Sequence, residues 1–310
     1  MSGIKSIFYV LDPLENKVYQ STIKGKILDT EFAIKNRKEL SPLVVGDKVK
    51  FEKIDNKTGR IISREERKNE FRRLKNNGRE IQTIVANLDY LIIVDSIETP
   101  PLRPFFIDRC ILSADYMKIP ILIVFNKIDL LDENNTELYK MVKKTYKKLK
   151  IETIDLSVVT DTGIDKLKEK IKDKLCSFNG RSGVGKSSII RKIDERYNNI
   201  KVGELNKKFN RGRHTTTFSQ VYPLSFGGYI IDTPGIRELS VYIDKPDDVE
   251  AFFRDFDKFR ADCKFPTCQH IDEPDCRVLK ALEDGMIEEF RYESYIRIRE
   301  TIQKISDSEI

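Results

Sequence analysis

The chain has 310 residues and a formal net charge of +6, with 39% hydrophobic and 34% charged residues. This length accommodates two or three domains with separate cores, and the composition is typical of a well-solvated globular protein. No apolar run approaches the ~20 residues that a membrane span requires, and the first residues lack the apolar region of a signal peptide. We therefore expect a cytoplasmic protein without a membrane partner.

Residues 1–72 are predicted to form a small β-barrel. Gly25, the Gly46-Asp47 pair and residues 56–59 supply the turns between five short runs that are rich in β-branched and aromatic residues. We favour a barrel of the OB type, with an SH3-like barrel as the alternative. The runs are "KSIFYVL", "KVYQSTI", "EFAIK", "DKVKFEKI" and "GRIISRE".

The next stretch, "SREERKNEFRRLKNNGRE" at residues 63–80, is dense in charge and poor in apolar residues. Its composition favours a solvated linker. Since arginine and lysine outnumber the acidic residues, an arm that binds a nucleic-acid backbone is the alternative.

Residues 73–244 are predicted to form a doubly wound α/β domain. Continuous apolar runs such as "DYLIIVD" and "ILIVFN" are typical of parallel strands that are covered on both faces. Segments with helical spacing, such as "FFIDRCILSADYM", lie between them, and this alternation indicates the fold.

Residues 245–310 show no strand pattern and are predicted to be helical. "PDDVEAFFRDFDKF" places apolar residues on one helical face, which we interpret as core packing, and two further helices are separated at Gly285. The apolar residues of that face are Val249, Phe252, Phe253 and Phe256.

The stretch "GRSGVGKSS" matches the phosphate-binding loop pattern of a glycine, four residues and Gly-Lys-Ser. Its glycines let backbone N–H groups converge on phosphates, while Lys186 reaches the terminal phosphates and the Ser187 hydroxyl binds Mg²⁺. An apolar strand precedes it and a helix follows, as such a site requires. The predicted nucleotide-binding residues here are Gly180, Arg181, Ser182, Gly183, Val184, Gly185, Lys186, Ser187 and Ser188.

The stretch "NKID" follows an apolar strand and fits a guanine-reading loop. The Asp129 carboxylate can accept hydrogen bonds from both N1–H and the exocyclic amine of guanine, a donor pair that adenine lacks. Asn126 is predicted to tether the loop and Lys127 to pack along the ring. Ser157, at a later strand end, is suited to a backbone contact with the base, although Val158 stands where many GTPases have alanine.

The stretch "IIDTPG" ends another apolar strand. Asp232 can hold the shell of a magnesium ion, and the Gly235 N–H can sense the γ-phosphate. Many GTPases place a water-orienting glutamine directly after this glycine, but this chain has Ile236, which predicts slow hydrolysis by the domain alone. "GRHTTT", at residues 212–217, is predicted to be the first switch loop, with Thr216 favoured over Thr215 as a Mg²⁺ ligand.

Each of these motifs occurs once, but the base-reading loop precedes the phosphate-binding loop, the reverse of the usual order. Joining the usual ends of such a domain and opening the chain elsewhere leaves the site intact, because domain termini often lie close together. The sequence therefore predicts a circularly permuted GTPase domain.

Three of the five cysteines lie near a histidine close to the C-terminus, in the pattern C-x₄-C-x-H-x₅-C. Three thiolates and one imidazole satisfy tetrahedral Zn²⁺ and leave no position for water, so we expect one structural zinc ion. The predicted ligands are Cys263, Cys268, His270 and Cys276, whereas Cys110 and Cys176 are expected in the core.

These motifs, with a barrel before the permuted domain and a cysteine cluster after it, resemble the bacterial small-ribosomal-subunit-dependent GTPases (RsgA/YjeQ type) over essentially the whole chain. The resemblance implies GTP hydrolysis stimulated by the 30S subunit, rRNA binding, late 30S maturation and a monomer. It also suggests that His214 is catalytic, alongside Lys186 and Thr216, although a histidine that contacts rRNA stays an alternative. Two other functions stay open: an rRNA scaffold without significant hydrolysis, and a permuted GTPase of large-subunit assembly.

Overall fold

The computed structural model describes residues 7–15, 17–23, 43–75, 80–198, 220–232, 243 and 246–307. The chain divides into two compact units, Met1–Asn87 and Leu88–Ile310. Three predicted segments lie outside the described residues: the strand at 31–35, the switch loop at 212–217, and residues 233–236 after Asp232. Among the described residues, no helix combines the length and the apolar character that crossing a membrane requires.

The first unit contains a four-stranded sheet in the order β1-β2-β4-β3, with β2 and β4 parallel and the other neighbours antiparallel. A small apolar cluster of Val10, Leu43 and Ile61 forms on it. Gly59 is required in β4, because a Cβ there would lie 2.9 Å from the Phe51 ring. The strands are β1 Ile7–Asp12, β2 Lys17–Ile23, β3 Val49–Lys53 and β4 Thr58–Arg64.

The predicted linker at residues 63–80 is wrong at residues 63–64, 70–75 and 80, which lie in strands. Glu70–Lys75 forms β5, which pairs antiparallel with β6, Glu80–Ala86. The strand forms because Phe71 alternates with charged neighbours and is fully buried, as an inward position of a half-buried strand requires. Before the hairpin, Arg67 forms a buried ion pair with Asp47 at 2.6 Å, so this arginine is part of the folded unit.

The second unit is built on a six-stranded sheet in the order β11-β12-β10-β7-β8-β9, in which only the outer β11 is antiparallel to its neighbour. The strands are β7 Tyr90–Ser96, β8 Ile121–Asn126, β9 Glu152–Leu156, β10 Leu175–Asn179, β11 Gln220–Pro223 and β12 Tyr229–Asp232. The helices between them are α1 Pro104–Tyr116, α2 Thr136–Lys148, α3 Ile164–Ile171 and α4 Lys186–Ile193. Because the inner strands are covered on both faces, nearly every residue of β7 and β8 is buried.

The C-terminal part of this unit consists of α5 Arg277–Glu283 and α6 Glu289–Asp307, after a 3-10 segment at Pro246–Phe252. The predicted apolar face is correct in position, since Val249, Phe253 and Phe256 are buried, but its start is 3-10 rather than α-helical. Gly285 separates the two helices with a φ of 68°, in the left-handed region that favours glycine.

The core of the C-terminal part continues onto α1. Arg291 of α6 is fully buried and pairs with Asp108 of α1 and with Asp255, at 2.6 Å for the second pair. Leu112 of α1 belongs to the same apolar cluster as Phe253. The predicted domain limits of 1–72, 73–244 and 245–310 stay predictions, since the two compact units are divided at residue 87.

Candidate nucleotide site and metal centre

The phosphate-binding loop (residues 180–188) connects β10 to α4. Two of its glycines are required by close contacts. A Cβ on Gly180 would lie 2.4 Å from the Val94 carbonyl oxygen, and one on Gly185 would lie 2.2 Å from Nδ2 of Asn126. Gly185 also has a φ of +100°, which L side chains rarely adopt. The loop therefore packs directly against the ends of β7 and β8.

Lys186 begins α4, and its ammonium group lies over the loop. Nζ donates hydrogen bonds to the carbonyl oxygens of Gly180 and Arg181, the second at 2.9 Å. No side chain caps the N-terminus of α4 and no acidic residue lies in its first turn, so the positive end of the helix dipole faces the loop. Ser187 and Ser188 are half-buried in that turn, while Ser182 and Gly183 are exposed at the tip of the loop and Val184 is buried beneath it.

An ion pair that the sequence analysis did not find holds the loop to β7. Arg181 contacts the fully buried Asp95 at 2.7 Å, and the other carboxylate oxygen of Asp95 accepts a hydrogen bond from the backbone N–H of Arg103. Burial raises the pKa of Asp95, against the opposing effects of Arg181 and the backbone N–H groups. The acidic residue at the end of the apolar run "DYLIIVD" is visible in the sequence, but its partner lies 86 positions away and the sequence does not identify it.

The base-reading loop (residues 126–129) is bonded to the phosphate-binding loop. Asn126 Nδ2 donates to the Val184 carbonyl oxygen at 2.8 Å, and Lys127 Nζ donates to that of Gly183 at 2.9 Å. These residues are separated by 58 and 56 positions in the sequence. Lys127 has a φ of 59°, which turns the chain sharply after β8. The two motifs therefore form one site.

Ser157 supports the base-reading carboxylate. Its hydroxyl donates a hydrogen bond to Asp129 and accepts from the N–H groups of Val159 and Thr160, both at 3.2 Å. Ser157 is fully buried directly after β9, so its hydroxyl holds Asp129 in a fixed position. The sequence predicted a backbone contact with the base for this residue, not its hydrogen bond to Asp129. Val158 packs against the core.

Asp232 is the last residue of β12 and is paired with Phe178, two residues before the phosphate-binding loop. The backbone thus carries the predicted magnesium-shell aspartate to the same edge of the sheet as that loop. The other predicted residues of this group, His214, Thr216 and Gly235, lie outside the described residues.

The Cys3His cluster (Cys263, Cys268, His270 and Cys276) converges as predicted, with all four ligand atoms within 4.8 Å of one another. His270 Nδ1 lies 3.4 Å from the Cys276 sulfur and 3.6 Å from the Cys263 sulfur, and these two sulfurs are 3.9 Å apart. At ordinary zinc bond lengths and tetrahedral angles, a nitrogen and a sulfur ligand would be about 3.5 Å apart and two sulfur ligands about 3.8 Å apart. The donors fit a four-coordinate thiophilic ion such as zinc.

Residues around the cluster fix the imidazole. His270 Nε2 lies 3.4 Å from a carboxylate oxygen of Glu250, so Nδ1 is the nitrogen that faces the sulfurs. Hydrogen bonding to His270 lowers the pKa of Glu250. The hydroxyl of Tyr292 donates to the His270 carbonyl oxygen at 2.8 Å, and Phe256 packs its ring edge-on against the imidazole. Carboxylate support of a metal-ligating histidine is common, yet Glu250 lies too far along the chain for the sequence pattern to identify.

Comparison with known proteins gave consistent matches. A family model described as RsgA GTPase matches residues 64–242. A protein named small ribosomal subunit biogenesis GTPase RsgA from Borreliella burgdorferi (strain ZS7) is 37% identical over 299 residues, which cover 96% of this chain and 93% of the relative. A protein of the same name from Caldanaerobacter subterraneus subsp. tengcongensis is 35% identical over 302 residues, covering 97% and 94%.

Two solved structures are similar over nearly the whole chain. YjeQ from Thermotoga maritima has a TM-score of 0.74 at 28% identity, covering 96% of this chain and 94% of that one. YloQ, described as a circularly permuted GTPase, has a TM-score of 0.69 at 24% identity, covering 98% and 93%. The predicted fold class, a permuted P-loop GTPase domain between an N-terminal β module and a C-terminal helical part with a metal cluster, is confirmed.

Proposed function

The chain belongs to the RsgA GTPase family and is a GTP hydrolase, and on this premise we propose that its GTPase cycle serves the maturation of the small (30S) ribosomal subunit. The observation that supports the GTPase cycle is the bond from Asn126 to the Val184 carbonyl oxygen, because it joins a guanine-reading loop to a phosphate-binding loop. The relatives' names supply the small subunit as the partner. We further propose that the protein acts in the cytoplasm as a monomer that binds rRNA.

Guanine recognition is assigned to Asp129, held by the Ser157 hydroxyl, with Lys127 along one face of the base. Asn126 is a positioning residue, because its side-chain amide donates a hydrogen bond to the Val184 carbonyl oxygen and so holds the two loops together. The backbone N–H groups of residues 180–188 and the Lys186 ammonium group would surround the phosphates, and α4 directs its positive end at them. Together, the base-reading loop and the phosphate-binding loop combine selectivity for guanine with binding of a triphosphate, as a GTPase requires.

Hydrolysis needs a water that is oriented for attack on the γ-phosphate. Mg²⁺ would be held by the Ser187 and Thr216 hydroxyls and by water on Asp232, and when bound it neutralises charge on the β- and γ-phosphates. Lys186 stabilises the same developing charge. Ile236 cannot orient water, so we propose that His214, on the predicted switch loop, takes this role when the small subunit is bound.

We propose that the Cys3His cluster holds one structural zinc ion. Three thiolates and an imidazole leave no open position for a catalytic water, and the inter-ligand distances suit tetrahedral geometry. The cluster is enclosed by the aromatic core of the C-terminal part, so the ion would stabilise that part of the fold rather than act on substrate.

The proposal is tested by GTP turnover at increasing concentrations of purified small subunits, with large subunits as the control. We expect slow intrinsic turnover and a saturating stimulation by small subunits alone. Equal stimulation by large subunits would favour a role in large-subunit assembly. No stimulation by either would favour an rRNA scaffold, in which nucleotide has a structural role.

A further inference from the structure

Two arginines contact the ring of Phe105, near the N-terminus of α1. The guanidinium of Arg297, on α6, lies 4.0 Å from the centre of the Phe105 ring, and that of Arg109 lies 5.8 Å from it. Arg103 is close enough to Arg109 to repel its charge, as Arg297 also does. We call the space between these residues the arginine cleft: a cavity of about 240 Å³ lined by Phe105, Arg109, Arg297, Ile298, Glu300 and Thr301.

No ion pair among the described residues neutralises the arginines of this cleft. Within the part of the chain that the structure describes, none of Arg103, Arg109 and Arg297 forms an ion pair, whereas Arg291 and Arg299 of the same helix α6 both do. Burial, together with repulsion from Arg103 and Arg297, lowers the pKa of Arg109. Glu300 lines the cleft, but its carboxylate is not within ion-pair distance of any described arginine. Guanidinium groups that lie close together without ion-pair partners attract an anion.

The size and composition of the cleft indicate which anion. At about 240 Å³ the cavity is below the ~300–1,000 Å³ of pockets that enclose whole small-molecule ligands, but it has room for one phosphate group. Guanidinium groups match phosphate geometry with paired N–H donors, which suits Arg109 and Arg297 to binding one phosphate group. Arg297, Glu300 and Thr301 are exposed, so a long chain could cross the cleft and place one phosphate in it.

We propose that the arginine cleft binds a phosphodiester group of RNA, with Arg109 and Arg297 donating to the phosphate oxygens. The phosphate chemistry follows from the cleft itself, while RNA as its source rests on the proposed function in ribosome assembly. Helix α1, which contributes Phe105 and Arg109 to the cleft, begins beside the nucleotide site. The backbone N–H before the helix, that of Arg103, is bonded to Asp95, which pairs with Arg181 of the phosphate-binding loop.

The test measures binding of a short, labelled single-stranded RNA to the full-length protein by fluorescence anisotropy over a series of salt concentrations. The variants are Arg297→Gln, at an exposed position, and Arg109→Gln. Lys304→Gln is the control, because it removes the same charge from an exposed position of α6 outside the cleft. We expect each cleft variant to weaken binding roughly tenfold, as for hydrogen bonds to charged groups. The slope of log affinity against log salt should fall by about 0.7, the value for one phosphate contact on a single strand.

The proposal is overturned if the cleft variants bind like the wild type or if Lys304→Gln loses as much affinity. It is also overturned if an oligomer with a neutral backbone binds equally well and depends on Arg297. If inorganic phosphate stabilises the wild type but not Arg297→Gln, and RNA binding does not depend on Arg297, the cleft binds a free anion instead. RNA binding is measured without ribosomal subunits or GTP. A negative result for the cleft is therefore distinct from an absence of subunit-stimulated GTP turnover.

Discussion

The buried residue Ser157 shows how a single hydroxyl can determine the position of the group that reads the base. It is fully buried, its oxygen accepts hydrogen bonds from two backbone N–H groups, and its hydroxyl donates a hydrogen bond to Asp129. The Ser157 hydroxyl holds one carboxylate oxygen of Asp129 in place, and the remaining lone pairs of the carboxylate can accept both donors of guanine. The guanine reader is thus preorganised by β9, a strand that does not carry the "NKID" motif.

Replacement of Asp129 by asparagine should exchange guanine preference for xanthine preference. The amide offers a donor to the xanthine oxygen but loses an acceptor for the guanine amine. Loss of hydrogen bonds to a charged group should weaken GTP binding by about 100-fold. Equilibrium binding of GTP and XTP measures the change. Asp132→Asn, in the exposed loop before α2, is the control and should leave both affinities unchanged; GTP binding at wild-type strength in Asp129→Asn would refute the assignment.

Replacement of Gly185 by alanine should abolish high-affinity nucleotide binding. The new Cβ would lie 2.2 Å from Nδ2 of Asn126, at a φ of +100°, so the two loops would be forced apart. Gly285→Ala is the matched control: its φ is also positive, at +68°, but no described atom beyond the adjoining backbone lies within 4 Å of the Cβ. We expect it to cost stability, about 1 kcal/mol, without changing GTP affinity. Equal GTP affinity in both variants would contradict the geometry.

At the scale of elements, α4 connects the phosphate-binding loop to the β11–β12 hairpin. Asp194 follows the helix, and its carboxylate accepts hydrogen bonds from the backbone N–H of Ser225 at 2.7 Å and from Arg196. Arg196 and Tyr197 both donate to the Pro223 carbonyl oxygen. The hairpin that ends in Asp232 is thus fixed to the helix that begins with Lys186, which keeps the two halves of the phosphate site in register.

The charge of Asp194 should contribute to stability at neutral pH. Burial opposes ionisation, but Arg196 and the backbone N–H groups outweigh it and lower the pKa of Asp194 to about 2. Because the folded pKa lies below the unfolded value of about 3.9, this contribution is complete above about pH 4 and is lost as the pH falls towards 2.

We expect Asp194→Asn to lower the free energy of unfolding by about 1–2 kcal/mol at pH 7, since half-exposed Arg196 is screened by solvent. Denaturant titrations at pH 7 and pH 3 measure the difference from wild type, which should shrink at the lower pH. Asp161→Asn, which breaks an exposed pair with Lys192, should cost below about 0.5 kcal/mol at both. A difference for Asp194→Asn that does not depend on pH would rule out the role of its charge.

On the scale of the whole molecule, the second unit joins the nucleotide site to the metal cluster. The aromatic core around the cluster includes Leu112 of α1, and Arg291 of α6 is held by Asp108 of α1. The same helix α1 begins beside Asp95 and the phosphate-binding loop. Helix α1 thus belongs to both regions, because its N-terminus contacts the site and its body packs in the C-terminal core.

Loss of the metal should unfold the C-terminal part and thereby weaken the second unit. Cys268→Ala removes one of four ligands, so we expect the purified variant to contain well under one zinc per chain and to melt at a lower temperature. Cys110→Ala also removes a buried thiol but lies outside the cluster, and should retain the metal. Elemental analysis of protein purified without chelators measures the zinc content per chain. Wild-type protein without zinc would disprove the metal assignment.

The sequence alone determined the permuted GTPase domain and the Cys3His cluster. Both depend on residue types at fixed short spacings, such as Gly180 to Ser187, since the chemistry of phosphate and metal binding dictates the local sequence. Apolar runs also identified most strands of the second unit. The strand β5 at Glu70–Lys75 was missed, because one buried Phe71 among charged residues is a weak signal for a strand.

Only the tertiary structure revealed the partners that position these motifs. Ser157 under Asp129, Asp95 on Arg181, Glu250 behind His270, and the arginine cleft each join residues that are at least 20 positions apart. Such pairs leave no periodic or spaced pattern in the chain, because they arise where separate elements meet at the edge of a sheet or in a shared core. The motifs therefore identified the chemistry, while the packing of β7, β9, α1 and α6 decided how it is arranged.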